Sequence, residues 1–245
     1  MADVFAGFDE DSSDLQVRKC VVFGPVGSGK TGLCKYVAGL LDIKNVEDCK
    51  LSGTSVTSKI KPYVGRYIRT RNVNQTPDLT DTKVQYTMID SEGYGADAFS
   101  SDSLKNQLTT ALKFETALNC MILCVSMERF RNGLKDDLTH LLGIIKTLGL
   151  EKESMIVVFT HCEIYKNEQR ETFVDQFKKY YDFDFGKNYL FACFANIGEV
   201  NENYMPMISE DVKNSIHLVR SKINNMSAII NVASKIYDIE HSIYP

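Results

Sequence analysis
Residues 24–31 read Gly-Pro-Val-Gly-Ser-Gly-Lys-Thr, the pattern G-x-x-x-x-G-K-T. They lie between an apolar run ending at Phe23 and a segment with apolar residues at helical spacing, Leu33, Val37, Leu40 and Leu41. Strand, glycine-rich loop and helix is the context in which this pattern holds a polyphosphate. Glycines let the backbone curl until successive N–H groups face one anion, and the helix N-terminus adds partial positive charge. Gly24, Pro25, Val26, Gly27, Ser28, Gly29 and Gly32 would form the cradle, and Lys30 would bring a mobile cation to the β- and γ-phosphates. Thr31 offers a hydroxyl to Mg²⁺, an ion that takes oxygen ligands. A chance glycine-rich turn would not need both flanks, so a nucleoside triphosphate with Mg²⁺ is the expected ligand.

Such a site also needs a carboxylate near the metal and a backbone group that senses the γ-phosphate. Asp90-Ser91-Glu92-Gly93 follows a strand-like run and supplies both: Asp90 for a metal-bound water, and the Gly93 amide for the γ-phosphate. A loop oxygen should complete the metal shell. Thr57 is the first choice from the polar stretch 52–58, with Thr54, Ser55 and Ser58 as alternatives. Lys30, Thr57 and Gly93 are thus the expected catalytic groups, and Thr31, Thr57 and Asp90 the expected metal set.

These residues require a scaffold that brings distant segments together. Short apolar strands at 19–23, 120–126, 155–159 and 189–193 interleave with amphipathic helices at 30–41, 103–116, 134–148 and 167–180. Segments 63–70 and 82–89 read as a hairpin around the turn-rich 72–81. The pattern predicts an α/β fold: a mostly parallel central sheet with one antiparallel strand and helices on both faces. Val212, Ile216, Val219, Ile223, Met226, Ile230, Ala233 and Tyr237 keep a four-three spacing that predicts one long C-terminal amphipathic helix, packed on the domain or against a partner. The expected organisation is a flexible acidic tail (1–16), a nucleotide-binding domain (17–208) and a helical extension (209–245).

Composition narrows the class. The chain has 245 residues, 44% hydrophobic and 24% charged, with a formal charge of −4, which argues against a general nucleic-acid binder. Seven cysteines, odd in number and scattered through apolar runs, fit neither a disulfide framework nor a zinc site, and point to a reducing cytoplasm. No apolar run reaches the roughly 18 residues that span a bilayer, so no transmembrane segment is expected, and any membrane association would be peripheral, through a partner.

The chain resembles the immunity-associated GTPases of the GIMAP type, relatives of the septins and of the chloroplast import-receptor GTPases. The resemblance covers about 17–240 and rests on Gly24–Thr31, Ser55-Val56-Thr57, Asp90–Gly93, Ser126-Met127-Glu128-Arg129-Phe130 and Val157-Val158-Phe159-Thr160-His161-Cys162-Glu163. It implies a P-loop GTPase fold, binding of GTP and GDP, and a nucleotide-dependent homodimer through the nucleotide face. Base recognition departs from the usual N/T-K-x-D, because Thr160-His161-Cys162-Glu163 occupies its place. Imidazole can stack as a lysine stem does, and Glu163 has the paired acceptors that match guanine's N–H donors but oppose adenine's N1. His161 and Cys162 could equally close a buried strand. Asn196, in Phe194-Ala195-Asn196, resembles the family's base-edge asparagine, or forms a turn before Gly198.

Hydrolysis is expected to be slow. Tyr94 follows the D-x-x-G motif where a water-orienting Gln stands in many GTPases, and branched Val26 narrows the approach to the γ-phosphate. Glu92, Ser91 or a second subunit could position water, whereas Arg129 fits an anchoring role better than an arginine finger. Two rivals remain: a nucleotide-binding scaffold without turnover, and a P-loop kinase, for which Arg66, Arg69 and Arg71 lack a lid-like arrangement.

Overall fold
A computed structural model of the chain describes residues 15–39, 61–65, 68–70, 82–91, 93, 109, 117–128, 136–147, 154–194, 209–226 and 230–231. Nine strands and four helices fall within them: β1 Leu15–Phe23, α1 Lys30–Ala38, β2 Lys61–Val64, β3 Ile68–Thr70, β4 Thr82–Asp90, β5 Ala117–Leu118, β6 Cys120–Ser126, α2 Asp136–Thr147, β7 Met155–Thr160, α3 Asn167–Tyr181, β8 Tyr189–Phe191, α4 Glu210–Asn224 and β9 Ile230–Asn231.

Seven strands form one sheet in the order β2-β4-β1-β6-β7-β8, with β3 also on β4. β1 pairs in parallel with β4 on one side and β6 on the other, and β7 and β8 continue the parallel run. Strand order therefore reverses direction at β1, the place where open α/β sheets bind ligands at the C-terminal ends of their strands. Phe23, Asp90, Ser126 and Thr160 end four parallel strands along that one edge.

Alternation along β1 sends Val21 and Phe23 to one face of the sheet, under Leu138, Leu141 and Ile145 of α2 and Phe173 and Phe177 of α3. Cys20 and Val22 go to the other face, with Leu33 and Val37 of α1 and Val219 and Ile223 of α4. β6 is buried along its whole length, as a strand covered on both faces must be. Each such aliphatic side chain contributes roughly 1.5–3 kcal/mol on burial.

Two expectations need correction. The segment expected as one strand over 63–70 is two, β2 and β3, both antiparallel to β4. Val64 and Ile68 are four positions apart while their partners Thr87 and Val84 are three apart, so the ladder carries a one-residue offset. Gly65 lies at the break: its N–H donates to Tyr86 O at 2.9 Å, and a side-chain carbon there would overlap the Ala38 carbonyl.

The C-terminal helix is amphipathic as expected, with Val212, Ile216, Val219, Ile223 and Met226 buried, but it stops at Asn224. Beyond it β9 pairs antiparallel with β5 in a separate two-stranded sheet, so Ile230 does not continue the helix. Ser209 starts α4 by accepting from Val212 N, and Glu210 and Asp211 place negative charge in its first turn. The acidic residues of the expected tail lie outside the described residues, and β1 begins at Leu15, two positions before the expected boundary. The expected hairpin turn 72–81 lies outside the described residues too, and of the expected helix 103–116 Thr109 alone falls within them.

Candidate nucleotide site
Gly24–Thr31 connects β1 to α1. Gly27 and Gly29 have φ of 70° and 86°, and Gly29 caps the start of α1. Gly24 lies so close to β6 that an added Cβ would overlap the Cys124 carbonyl oxygen. Backbone approach of this kind admits glycine alone. Beside Gly32, in the first turn of α1, there is open space.

Lys30 is 5% exposed and donates to the carbonyls of Gly24 and Pro25, both at 2.9 Å. Its ammonium thus lies folded over the loop it belongs to. Asp90, at the end of β4, is fully buried, and Thr31 Oγ1 donates to its Oδ2 at 2.7 Å. Withdrawing either charge from water costs several kcal/mol, by the general magnitude for buried ions, unless protein dipoles replace the lost solvation. The hydroxyl of Thr31 and the carboxylate of Asp90 are hard oxygen donors side by side, a set that fits Mg²⁺.

Gly93 completes the phosphate end. A Cβ added to it would lie 2.9 Å from Lys30 Nζ, 2.9 Å from Val26 Cα and 3.0 Å from Val26 Cγ2. Its backbone therefore rests on the lysine and on the valine, leaving no room there for one more carbon.

Two groups from β6 and β7 hold the loop from beneath. Cys124 Sγ donates to Ser28 O at 2.8 Å, and Thr160 Oγ1 donates to the same carbonyl at 2.7 Å. Burial pushes the Cys124 thiol up to about 12, against the opposing influence of Lys30, so it stays protonated and remains a donor. Cys124 was not among the expected site residues, because a cysteine in a fully apolar strand reads as core. Its only sequence signal is its position on the strand next to the loop.

Thr160 also joins the loop to the turn that follows β7. Its hydroxyl lies 3.2 Å from His161 Nδ1, and His161 turns the chain with a φ of 51°. His161 is half-buried, Cys162 buried, and Glu163 and Ile164 exposed, Ile164 at 80%. Strand β7 ends at Thr160, so His161 belongs to the turn rather than to a buried strand. Arg170 of α3 braces this turn by donating to Cys162 O at 3.2 Å. The structure thus brings together Gly24–Thr31, Asp90, Gly93 and Thr160, with His161 and Glu163 continuing from Thr160. Thr57, Thr54, Ser55, Ser58, Glu92, Tyr94, Arg129 and Asn196 lie outside the described residues.

Solved structures share this architecture. The chain aligns with the elongation factor SelB of Methanococcus maripaludis in complex with the GTP analogue GppNHp at 15% identity and a TM-score of 0.50, over 88% of this chain and 35% of that one. It aligns with Era of Aquifex aeolicus bound to GDP and AlF4⁻ at 15% identity and 0.51, over 87% of this chain and 58% of Era. A second Era structure, with MgGDPNP and a 16S ribosomal RNA segment, gives 14% and 0.52 over the same shares. The chain thus spans between about a third and three-fifths of the length of these proteins. No protein-family model matches the chain, and no curated protein matches it by sequence. The fold is that of the P-loop GTPases. Among the described residues no helix is long and apolar enough to cross a membrane.

Proposed function
We propose that this chain is a guanine-nucleotide switch that binds GTP and GDP with Mg²⁺ and hydrolyses GTP slowly. The observation that carries the reading is the convergence of Lys30, Thr31, Asp90 and Gly93 on the end of β1, with Thr160 tying the base end to the same loop. Thr31 and Asp90 would hold the metal, with Thr57 as the expected third ligand. A Mg²⁺ held there would supply positive charge to offset that of the β- and γ-phosphates. Lys30 binds and orients the same phosphates. His161 would stack on the base and Glu163 accept from its N–H donors, with Asn196 at the base edge; acceptor facing acceptor would disfavour adenine.

Switching follows from Gly93. A γ-phosphate has to lie between Lys30 and the Gly93 amide, and Gly93 now rests on Lys30 and Val26. Triphosphate would therefore move Gly93 and the residues after it, and diphosphate would not, which is the ordering of a segment by γ-phosphate that nucleotide switches use. Val26 in that contact supports slow turnover, because its branched side chain would narrow the approach to a γ-phosphate bound beside Gly93.

Assembly in the GTP state is part of the proposal. Ile164, beside Glu163, exposes apolar surface at the base end, as a contact with a second copy through the nucleotide face would require. Relationship to the GIMAP type and a cytoplasmic location complete the reading.

Multiple-turnover phosphate release from GTP, with Lys30→Ala as control, tests the activity. Slow release abolished by the substitution supports a GTPase. Nucleotide binding with no release above that of Lys30→Ala would make the chain a scaffold. Mass in solution with GDP and with a non-hydrolysable GTP analogue tests assembly, and a monomer in both states would overturn it.

A further inference from the structure
Among the described residues, two pairs of thiols have their sulfurs within 4 Å. Cys20 and Cys120 are register partners on β1 and β6 with sulfurs 3.4 Å apart, and both are wholly buried. Cys162 and Cys193 lie just past the last register pair of β7 and β8, Phe159 and Phe191, with sulfurs 3.8 Å apart. Neighbouring strands run about 4.8 Å apart, within the Cα spacing that a disulfide spans. Proximity alone would favour the first pair. Access separates them, because Cys193 is partly exposed whereas Cys20 and Cys120 are both buried.

We infer that Cys162 and Cys193 form a reversible disulfide site that regulates the base end of the nucleotide site. The functional half of this inference rests on the nucleotide-binding reading above. Cys162 stands between His161 and Glu163, so it cannot move without them. Cys193 is fixed on the opposite side, its N–H donating to Ser215 Oγ of α4 at 2.8 Å. A disulfide brings the sulfurs to about 2.05 Å. With Cys193 held by α4, closing the gap draws the Thr160–Glu163 turn toward β8 and takes Glu163 from the position that suits guanine.

The oxidant is a small-molecule disulfide. The Cys193 thiolate attacks one of its sulfurs and releases one thiol; the Cys162 thiolate then attacks the Cys193 sulfur of the mixed disulfide and releases the second. Two protein thiols lose two electrons, the reagent gains them as two thiols, and the protons pass from the protein thiols to the released ones. Burial pushes the Cys162 thiol up to about 12 and also raises that of Cys193. Glu163 on the turn and Asp211 of α4 push the same way, and Arg170 of α3 opposes them. Thiolate is scarce at neutral pH, so the bridge forms slowly and faster as pH rises.

The test uses the full chain incubated with oxidised glutathione, mapped without reduction, and titrated with GDP before oxidation, after it, and after dithiothreitol. A linked Cys162–Cys193 peptide is expected while Cys20 and Cys120 stay alkylatable. GDP affinity should fall about tenfold, the loss of one good hydrogen bond, and return on reduction. Cys193→Ser should hold its affinity through the same treatment. Free Cys162 and Cys193 after oxidation, or bridged protein that binds GDP as the reduced form does, would overturn the inference. Reduced protein that binds no GDP would instead overturn the nucleotide reading, and the linked peptide keeps the two failures distinct.

Discussion

The phosphate end and the base end of the candidate site are built on different principles. Where the loop meets Asp90 the chemistry is buried: Lys30 and Asp90 are almost or wholly out of water, and both are solvated from the Gly24–Thr31 stretch, Lys30 by the carbonyls of Gly24 and Pro25 and Asp90 by the Thr31 hydroxyl. At the candidate base end Glu163 is exposed, His161 half-buried, and the Arg170 side chain holds the turn between them by donating to Cys162 O. A polyphosphate is the same in every nucleotide, so its cradle can be rigid and generic. A base has to be chosen, and under the proposed reading the choice would fall to Thr160–Glu163, where the chain departs from the common N/T-K-x-D pattern.

The comparison can be broken at the phosphate end first. Lys30→Ala should lower affinity for GDP and GTP by about 100-fold or more in a fluorescent-nucleotide titration, the scale of losing a charge-assisted contact in a buried site. A loss below threefold would mean that the buried ammonium does not face phosphate. Glu163→Ala tests the other end, and should weaken guanine nucleotide by about 30-fold while leaving ATP affinity, already low, unmoved. Equal effects on both nucleotides would make Glu163 a structural residue of the turn.

Support of the cradle from behind should register as stability. Arg220 of α4 donates to Val37 O at 3.0 and 2.9 Å and to Tyr36 O at 3.2 Å, capping the C-terminal carbonyls of α1, and stacks over Tyr86. Burial lowers its guanidinium pKa from the usual value, with Tyr86 opposing the shift, and an arginine keeps its charge in proteins, so a cation stands at the helix end. Arg220→Ala should cost about 1–2 kcal/mol in denaturant unfolding. No change would mean that the contact contributes nothing net. The smallest effect is expected at Val26: replacement by Gly removes the side-chain contact with Gly93, keeps those of Lys30 and the residue 26 backbone, and should raise GTP turnover by about threefold. A slower enzyme would place the cause of slow hydrolysis elsewhere.

Much of the phosphate end was legible in sequence because its chemistry is local. Lys30 and Thr31 belong to one uninterrupted motif, and Asp90–Gly93 follows a strand whose alternation Val84, Tyr86, Met88 is itself readable. The bonds from Cys124 and Thr160 to Ser28 were not legible, since they join residues 96 and 132 positions apart. The end of α4 failed for a related reason. Apolar spacing continues past Asn224, but periodicity cannot register that β5 waits to pair with residues 230–231. The break at Gly65 likewise answers to the α1 carbonyl packed against it, a neighbour that a local pattern does not contain. Thr57 and Asn196 remain expectations of the sequence.

The most direct test of guanine recognition is competition of labelled GDP by GTP, GDP and ATP in the presence of Mg²⁺. The account expects GTP and GDP to displace the label at concentrations at least about tenfold below ATP, the discrimination that one mismatched acceptor pair provides. Equal displacement by ATP would contradict it, leaving a phosphate site whose base end does not choose.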